Sequence, residues 1–383
     1  MIIRTRRLPI FLFNLLDTLK ESSLISQRFS IVSHQKSFIQ SVNHQCLRNM
    51  SRNTTIEYQK DGHFTRPAST FRSFVSADPN SQFPADKGRY ALYISPGCPW
   101  AHRTIIVRAL KHLEDIIDLY ILSPSMGEKG WVFDGAHGTL PKDPLYGFTY
   151  LRELYFKADP DFNSRFTVPV LWDKKTETIV NNESSEIIRM FYSEFDALIP
   201  EQFREANKPG GGLYPEHLRK DIDELNGWVY DTVNNGVYKC GFAGKQESYD
   251  ENVYPLFKSL DRLESILSGH GKPFLFGDHI TEADVRLYTT IARFDVAYYT
   301  VFLCNLKSIR HDYPRLHLWL RRLYWDKSEV TNGAFHRTTA PWIGLYATGY
   351  ATAKVRVTKS QAPIIVPRGP AVPVESLAES EKL

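Results

Sequence analysis

The chain has 383 residues, 42% of them hydrophobic and 23% charged, with a formal net charge of +4. So mild a charge, with no dense basic run, excludes a nucleic-acid surface as the main business of the protein. Its four cysteines, Cys46, Cys98, Cys240 and Cys304, form no C-x-x-C pair, which predicts free thiols in a reducing compartment rather than a disulfide framework.

In chain order, residues 1–50 come first. They carry Arg4, Arg6, Arg7, Lys20, Arg28, Lys36 and Arg48 against only Asp17 and Glu21, with frequent serine. This bias is that of a mitochondrial transit segment. The alternative is a start at Met50, which would leave the protein cytoplasmic. The apolar run at 8–16 is too short to span a bilayer, and no membrane span is expected elsewhere. Residues 51–85, polar and rich in Ser, Thr, Pro and Asn, read as an extended arm.

A buried strand is predicted at 89–95, ended by Pro96-Gly97, and a helix from Pro99 to about Leu113. A second strand covers 118–122, and 123–148 reads as a Gly/Pro-rich loop. The segments 167–172 and 178–180 read as a hairpin, followed by a helix opening near Glu183. Strand, helix, strand, hairpin, helix is the thioredoxin arrangement, placed at 86–197. A linker at 196–213 leads to an all-helical domain at 210–330, in which Leu218, Ile222, Leu225 and Trp228 recur at helical spacing. Thr281 to Asp284 reads as a structural capping box. Residues 331–383 are expected to be irregular, with a loose, Pro-rich end from 360.

Three segments carry chemistry. Cys98, between Pro96-Gly97 and Pro99, sits where a strand gives way to a helix. Unsatisfied N–H groups and the positive end of the helix dipole favour thiolate there, and a thiolate is a nucleophile. The plainer role is a small buried apolar residue. Ala101 stands where a dithiol motif has its second cysteine, so the partner sulfur must come from a small thiol or from far away. In Phe166-Thr167-Val168-Pro169-Val170, a proline inside an apolar strand is no ordinary ladder position. A cis Val168–Pro169 bond would leave Val168 free to pair with a peptide ligand. At Asn182-Glu183-Ser184-Ser185, a helix start offers N–H groups and a hydroxyl to a carboxylate, and Glu183 to an ammonium; simple capping is the commoner use. Thiolate, strand edge and helix start together suit a ligand with a thiol, a peptide backbone and a γ-glutamyl zwitterion, which is glutathione.

Further strings complete a pattern. Cys98-Pro99-Trp100-Ala101-His102-Arg103, Glu128-Lys129-Gly130-Trp131, Arg165 to Trp172, Asn181 to Arg189, Asn234 to Lys239 and Thr281 to Leu287 follow in order. The chain resembles the glutathionyl-hydroquinone reductases, the xi class of glutathione transferases, over roughly residues 87–325. The resemblance implies a glutathione transferase fold, an α/β thioredoxin-like domain followed by an all-α domain. It implies that Cys98 attacks the glutathionyl sulfur of an S-glutathionyl hydroquinone, and that a second glutathione resolves the mixed disulfide. Trp131, Arg165, Phe166, Thr167 and Val168 are expected to line the glutathione site, with Glu183 and Ser184 at its γ-glutamyl end. Tyr238 and Tyr298 are expected beside the thiol. A third phenol of the family has no matching context here, and Tyr346 and Tyr350 both remain open for it. Glutathione is then a cosubstrate, with no bound cofactor and no metal, and a homodimer is expected. Cys240 and Cys304 read as inert. The rival readings are an omega-like thioltransferase or dehydroascorbate reductase, and a non-catalytic binding protein of the same fold.

Overall fold

The computed structural model describes residues 61–358, 361 and 363–383; the transit-like residues 1–50 and the first ten residues of the arm lie outside these. A four-stranded sheet is built from β1 (Tyr90–Ile94), β2 (Asp118–Ile121), β5 (Val170–Asp173) and β6 (Thr178–Asn181), in the order β2-β1-β5-β6. β1 is parallel to β2 and antiparallel to β5, and β5 is antiparallel to β6. Every residue of β1 is buried, as an unbroken apolar strand in mid-sheet requires. Helix α1 (Pro99–Leu110) follows β1, with Cys98 at its N-cap and Pro99 in its first turn.

Between β2 and β5 lie a ribbon and a helix absent from the sequence reading. The expected loop at 123–148 folds back as a two-stranded ribbon of β3 (Met126–Gly127) and β4 (Gly130–Trp131), in which Met126 pairs with Trp131. Helix α2 (Leu151–Ala158) then buries Leu151, Leu154 and Tyr155. Its Tyr155 hydroxyl donates to the Thr167 carbonyl (2.8 Å) and accepts from Thr167 N–H (3.2 Å) and from the Asn182 amide (3.1 Å). One phenol thus fixes both the edge before Val168 and the start of α3 (Ser184–Ser193).

The described part of the arm, from residue 61, is paired. Ser73 N–H donates to the Val180 carbonyl and Asn182 N–H to the Phe71 carbonyl, which covers the open edge of β6. Upstream, its Gly62 carbonyl accepts from Gly244 N–H in the helical half.

That half comprises α4 (Arg219–Val229), α5 (Gly236–Gly241), α6 (Gln246–His270), α7 (Glu282–Arg293) and α8 (Pro314–Trp325), with π-turns at Tyr230–Asn234 and Phe294–Tyr298. The capping box is present: buried Asp284 accepts from Thr281 N–H, and also from Leu275 N–H and the Trp319 indole. The end of the chain departs from expectation. Residues after 330 form α9 (Ala334–Thr339) and α10 (Tyr346–Thr358), with Tyr346, Tyr350, Ala351 and Val357 buried. The last residues are strapped down, not loose. Arg310 donates to the carbonyls of Val372 and Pro373, Arg321 to that of Ser376, and the Trp325 indole to that of Glu375. A proline-rich strand has few donors of its own, so its carbonyls are satisfied by side chains of α8 and the turn before it.

Tyr155 generates a stability prediction. Tyr155→Phe leaves the half-buried Thr167 N–H and carbonyl and the buried Asn182 amide without this partner, and should cost about 2 kcal/mol. Urea unfolding checks this; an unchanged midpoint means that the hydroxyl organises nothing.

Candidate active site

The turn before α1 is shaped by close contact. Gly97 lies so near the Pro124 carbonyl that a Cβ there would stand 2.2 Å from its oxygen, which only glycine avoids. Ser95 Oγ donates to the Ser123 carbonyl at 2.8 Å, pinning the same loop from the other side. The Cys98 thiol, 9% exposed, donates to the Val168 carbonyl at 3.5 Å across a cis Val168–Pro169 bond. The strand edge and the cysteine therefore meet, as the sequence predicted.

A cavity of about 160 Å³ opens beside Cys98, bordered by Trp131, Arg165, Phe166, Thr167, Val168 and Tyr238. An adjoining cleft shares Arg66, Trp100, Arg165, Thr167 and Val168 with it and adds Glu183 and Ser184. Nine of the ten expected site residues thus border two continuous spaces. Among these, Phe166 packs its ring on Tyr155 and Phe156, a core contact. Glu183 caps α3 by accepting from Ser185 N–H (3.1 Å), and it also accepts from Ser69 Oγ of the arm (3.1 Å). Capping and facing the cleft are compatible here because a carboxylate has two oxygens.

The tenth residue, Tyr298, borders neither space. It is fully buried, and its hydroxyl lies 2.7 Å from that of Tyr350. Tyr350 borders the cavity, with its hydroxyl 3.2 Å from that of Tyr238 and donating to the Gly97 carbonyl at 3.3 Å. Tyr346, the other tyrosine left open, borders the cavity too, but the two differ in company. Tyr350 joins the cluster of phenols, whereas Tyr346 lies under the Arg293 guanidinium, 3.9 Å from its ring centre. Burial raises the pKa of Tyr238, Tyr298 and Tyr350, so all three are neutral donors at physiological pH.

Two cations were not singled out in the sequence. Arg66, from the arm, lies over the rings of Trp100 and Tyr238 and donates to Asn235 Oδ1 at 2.9 Å. Arg293, fully buried, donates to the Pro96 carbonyl and to His102 Nδ1, each at 2.9 Å. Burial, with Arg293 beside it, holds the His102 pKa far below the usual value. The imidazole is neutral, and with Nδ1 accepting, its proton sits on Nε2, facing Thr338 Oγ1 at 3.0 Å.

The thiol itself is a contest. Burial pushes the Cys98 pKa up; the N–H groups of Ala101 and Trp100, then Arg66 and Arg293, pull it down. Burial wins, against the expectation of a depressed value from helix position alone. Cys240 and Cys304 are buried too, and neither borders the two spaces.

With this geometry in view, the likeness to known proteins is specific. Residues 97–194 match the model of the glutathione S-transferase N-terminal domain, and residues 246–322 that of its C-terminal domain. A Schizosaccharomyces pombe protein named glutathione S-transferase omega-like 2 is 53% identical over 73% of this chain and 86% of its own. The Escherichia coli glutathionyl-hydroquinone reductase YqjG is 51% identical over 69% of this chain and 79% of its own. The crystal structure of glutathione S-transferase Xi from Phanerochaete chrysosporium superposes with a TM-score of 0.76 at 49% identity, covering 84% of this chain and 97% of that one. The chain belongs to the glutathione transferase family and, within it, to the xi class. It is a glutathione-dependent enzyme.

The contest at Cys98 has a measurable consequence. With the folded pKa above the ordinary thiol value, the thiolate is a minority at neutral pH that grows about tenfold per pH unit. The rate of Cys98 alkylation by iodoacetamide should rise through pH 8 with a midpoint above that of free cysteine. Arg66→Gln should move the midpoint further up, since a cation that favours thiolate is gone. A midpoint below the free value contradicts this balance.

Proposed function

We propose that the enzyme reduces S-glutathionyl hydroquinones to hydroquinones. The Cys98 thiolate attacks the glutathionyl sulfur; the S–S bond forms, the aryl C–S bond breaks, and the electron pair passes to the ring carbon. Tyr238 delivers a proton to that carbon and releases the hydroquinone, with Tyr350 supporting the phenolate left behind. The thiolate of a second glutathione then attacks the Cys98 mixed disulfide. It yields oxidised glutathione and the Cys98 thiolate, and the second glutathione's proton restores Tyr238. Trp131, Arg165, Thr167 and Val168 hold the glutathionyl peptide, and Glu183 with Ser184 its γ-glutamyl end.

The observation that carries this reading is the company of the thiol. Cys98 lies at a helix N-terminus in a cavity bordered by three neutral phenols, Tyr238, Tyr346 and Tyr350, of which Tyr238 and Tyr350 share a hydroxyl contact, with no other cysteine bordering it among the described residues. A lone sulfur must exchange with a diffusible thiol, and phenols are suited to a leaving group that needs a proton. The reductase named among the relatives supports the same chemistry. The omega-like thioltransferase remains the second reading, because the fission yeast relative bears an omega-like name. A homodimer and a mitochondrial address for residues 1–50 belong to the same proposal; sedimentation tests the first, and a fluorescent fusion of those residues the second.

Cys98→Ser should abolish turnover of glutathionyl-hydroquinones, while Cys240→Ser and Cys304→Ser retain most of it. Tyr238→Phe should slow turnover by about 10²-fold, the lower end for a lost general acid. Tyr298→Phe should cost less, because its phenol reaches the site only through Tyr350. Should the Tyr238 and Tyr298 variants melt earlier yet turn over like wild type, the phenols are structural and the thioltransferase reading is the better one.

A further inference from the structure

Among the described residues three guanidinium groups border the main cavity, those of Arg66, Arg165 and Arg356, and no carboxylate borders it. Among the described residues none of the three forms an ion pair. A cation inside an apolar wall calls for an anion, since its charge is poorly hydrated there. Glutathione supplies too few. It brings two carboxylates and one ammonium, and its γ-glutamyl end, ammonium and carboxylate together, is taken by Glu183 and Ser184 in the reading above. One carboxylate, on the glycine, is left for the guanidinium groups.

The arginines are not equivalent in position. Arg66 and Arg165 border both the cleft and the cavity, whereas Arg356 borders the cavity alone. Arg66 acts on Cys98 and lies over Tyr238. Arg165 stands next in sequence to the peptide edge, so the glycyl carboxylate falls to it. Arg356 projects from α10 and donates to the Gly127 carbonyl at 3.0 Å and to the Met126 sulfur, both of them neutral partners on the ribbon that carries Trp131. The cavity it borders is lined mainly by apolar side chains, among them Trp131, Trp342, Leu345 and Val357. Burial lowers the Arg165 pKa to about 10, with Arg66 and then Arg356 adding to it, which places the three charges within reach of one another.

We propose that Arg356 is a specificity residue: it selects glutathionylated hydroquinones that carry a carboxylate on the aromatic ring. The proposal rests on the reductase reading of the same site. A guanidinium presents two parallel N–H groups to a carboxylate, and in a cavity bordered by aromatic rings that contact is weakened less by water than at the open surface. A neutral ring gains nothing from it. Residues of α10 thus sort the substrates, while Cys98 and the peptide edge treat the glutathionyl part of all of them alike.

The test compares kcat/KM for two conjugates, S-glutathionyl-hydroquinone and S-glutathionyl-2,5-dihydroxybenzoate, in wild type, Arg356→Gln and Arg356→Lys. The acid-to-neutral ratio should fall about tenfold in Arg356→Gln, the low end for lost charge-assisted hydrogen bonds, and recover in part in Arg356→Lys. Because it is a ratio, it is independent of how much of each variant folds. A ratio in Arg356→Gln equal to that of wild type overturns the proposal, and a common rise in KM for glutathione would give the residue to the cosubstrate instead. If wild type reduces neither conjugate, the reductase reading fails by itself. Quenching of tryptophan fluorescence by free 2,5-dihydroxybenzoate and free hydroquinone then decides about Arg356. A tenfold loss of affinity confined to the acid supports it, and equal affinities before and after substitution refute it.

Discussion

The site depends on one buried cation. Arg293 ends α7, is fully buried, and forms no ion pair among the described residues. Its donors go to the Pro96 carbonyl of the nucleophile turn, to His102 of α1 and to the Thr289 carbonyl of its own helix, while its flat face rests on Tyr346 of α10. One planar group therefore joins the sheet domain, the helical domain and the end of the chain around the residue before Gly97. The geometry suits arginine and not lysine, because a point charge cannot address several directions while stacking on a ring. His102 extends the join: it is kept neutral, accepts from Arg293 and gives its Nε2 proton to Thr338 on α9.

This arrangement explains why the thiol is balanced rather than simply activated. A cysteine at a helix N-terminus gains from N–H groups, yet roofing it with phenols and covering it with the arm removes the water that would stabilise a thiolate. Arg66 of the arm and Arg293 of α7 offset that loss. The same dry roof keeps Tyr238 and Tyr350 protonated, which is the state a proton donor needs. Burial thus works against the nucleophile and for the acid in one stroke, and the cations serve to keep the first effect in bounds.

Much of this was legible in sequence where the chemistry is local. Pro99 after Cys98, the apolar run before it, Pro169 between valines and the Thr281–Asp284 box each encode their own geometry within a few residues, and each appears as predicted. What escaped depends on contacts across the chain. Arg66 matters because it meets Asn235, 169 residues away, and nothing in its neighbours signals this. Tyr155 acts through a hydroxyl that reaches Thr167, before β5, and Asn182, before α3. Helix α10 carries its packed face at buried Tyr346, Tyr350 and Val357 with half-buried Ala353, but Gly349 and several threonines dilute the pattern, so helical spacing was not read there. The chain's end looked loose because prolines cannot donate; the donors that hold it belong to α8 and the turn before it.

The central claim is that a covalent bond forms between Cys98 and the glutathionyl group as the hydroquinone departs. Mixing the enzyme with one equivalent of S-glutathionyl-hydroquinone, with no free glutathione present, isolates that half-reaction. Intact-mass and peptide analysis should find a single glutathionyl adduct on the peptide bearing Cys98, together with one equivalent of free hydroquinone, and added glutathione should remove the adduct as oxidised glutathione. Release of hydroquinone from an enzyme whose Cys98 stays unmodified throughout would contradict the account.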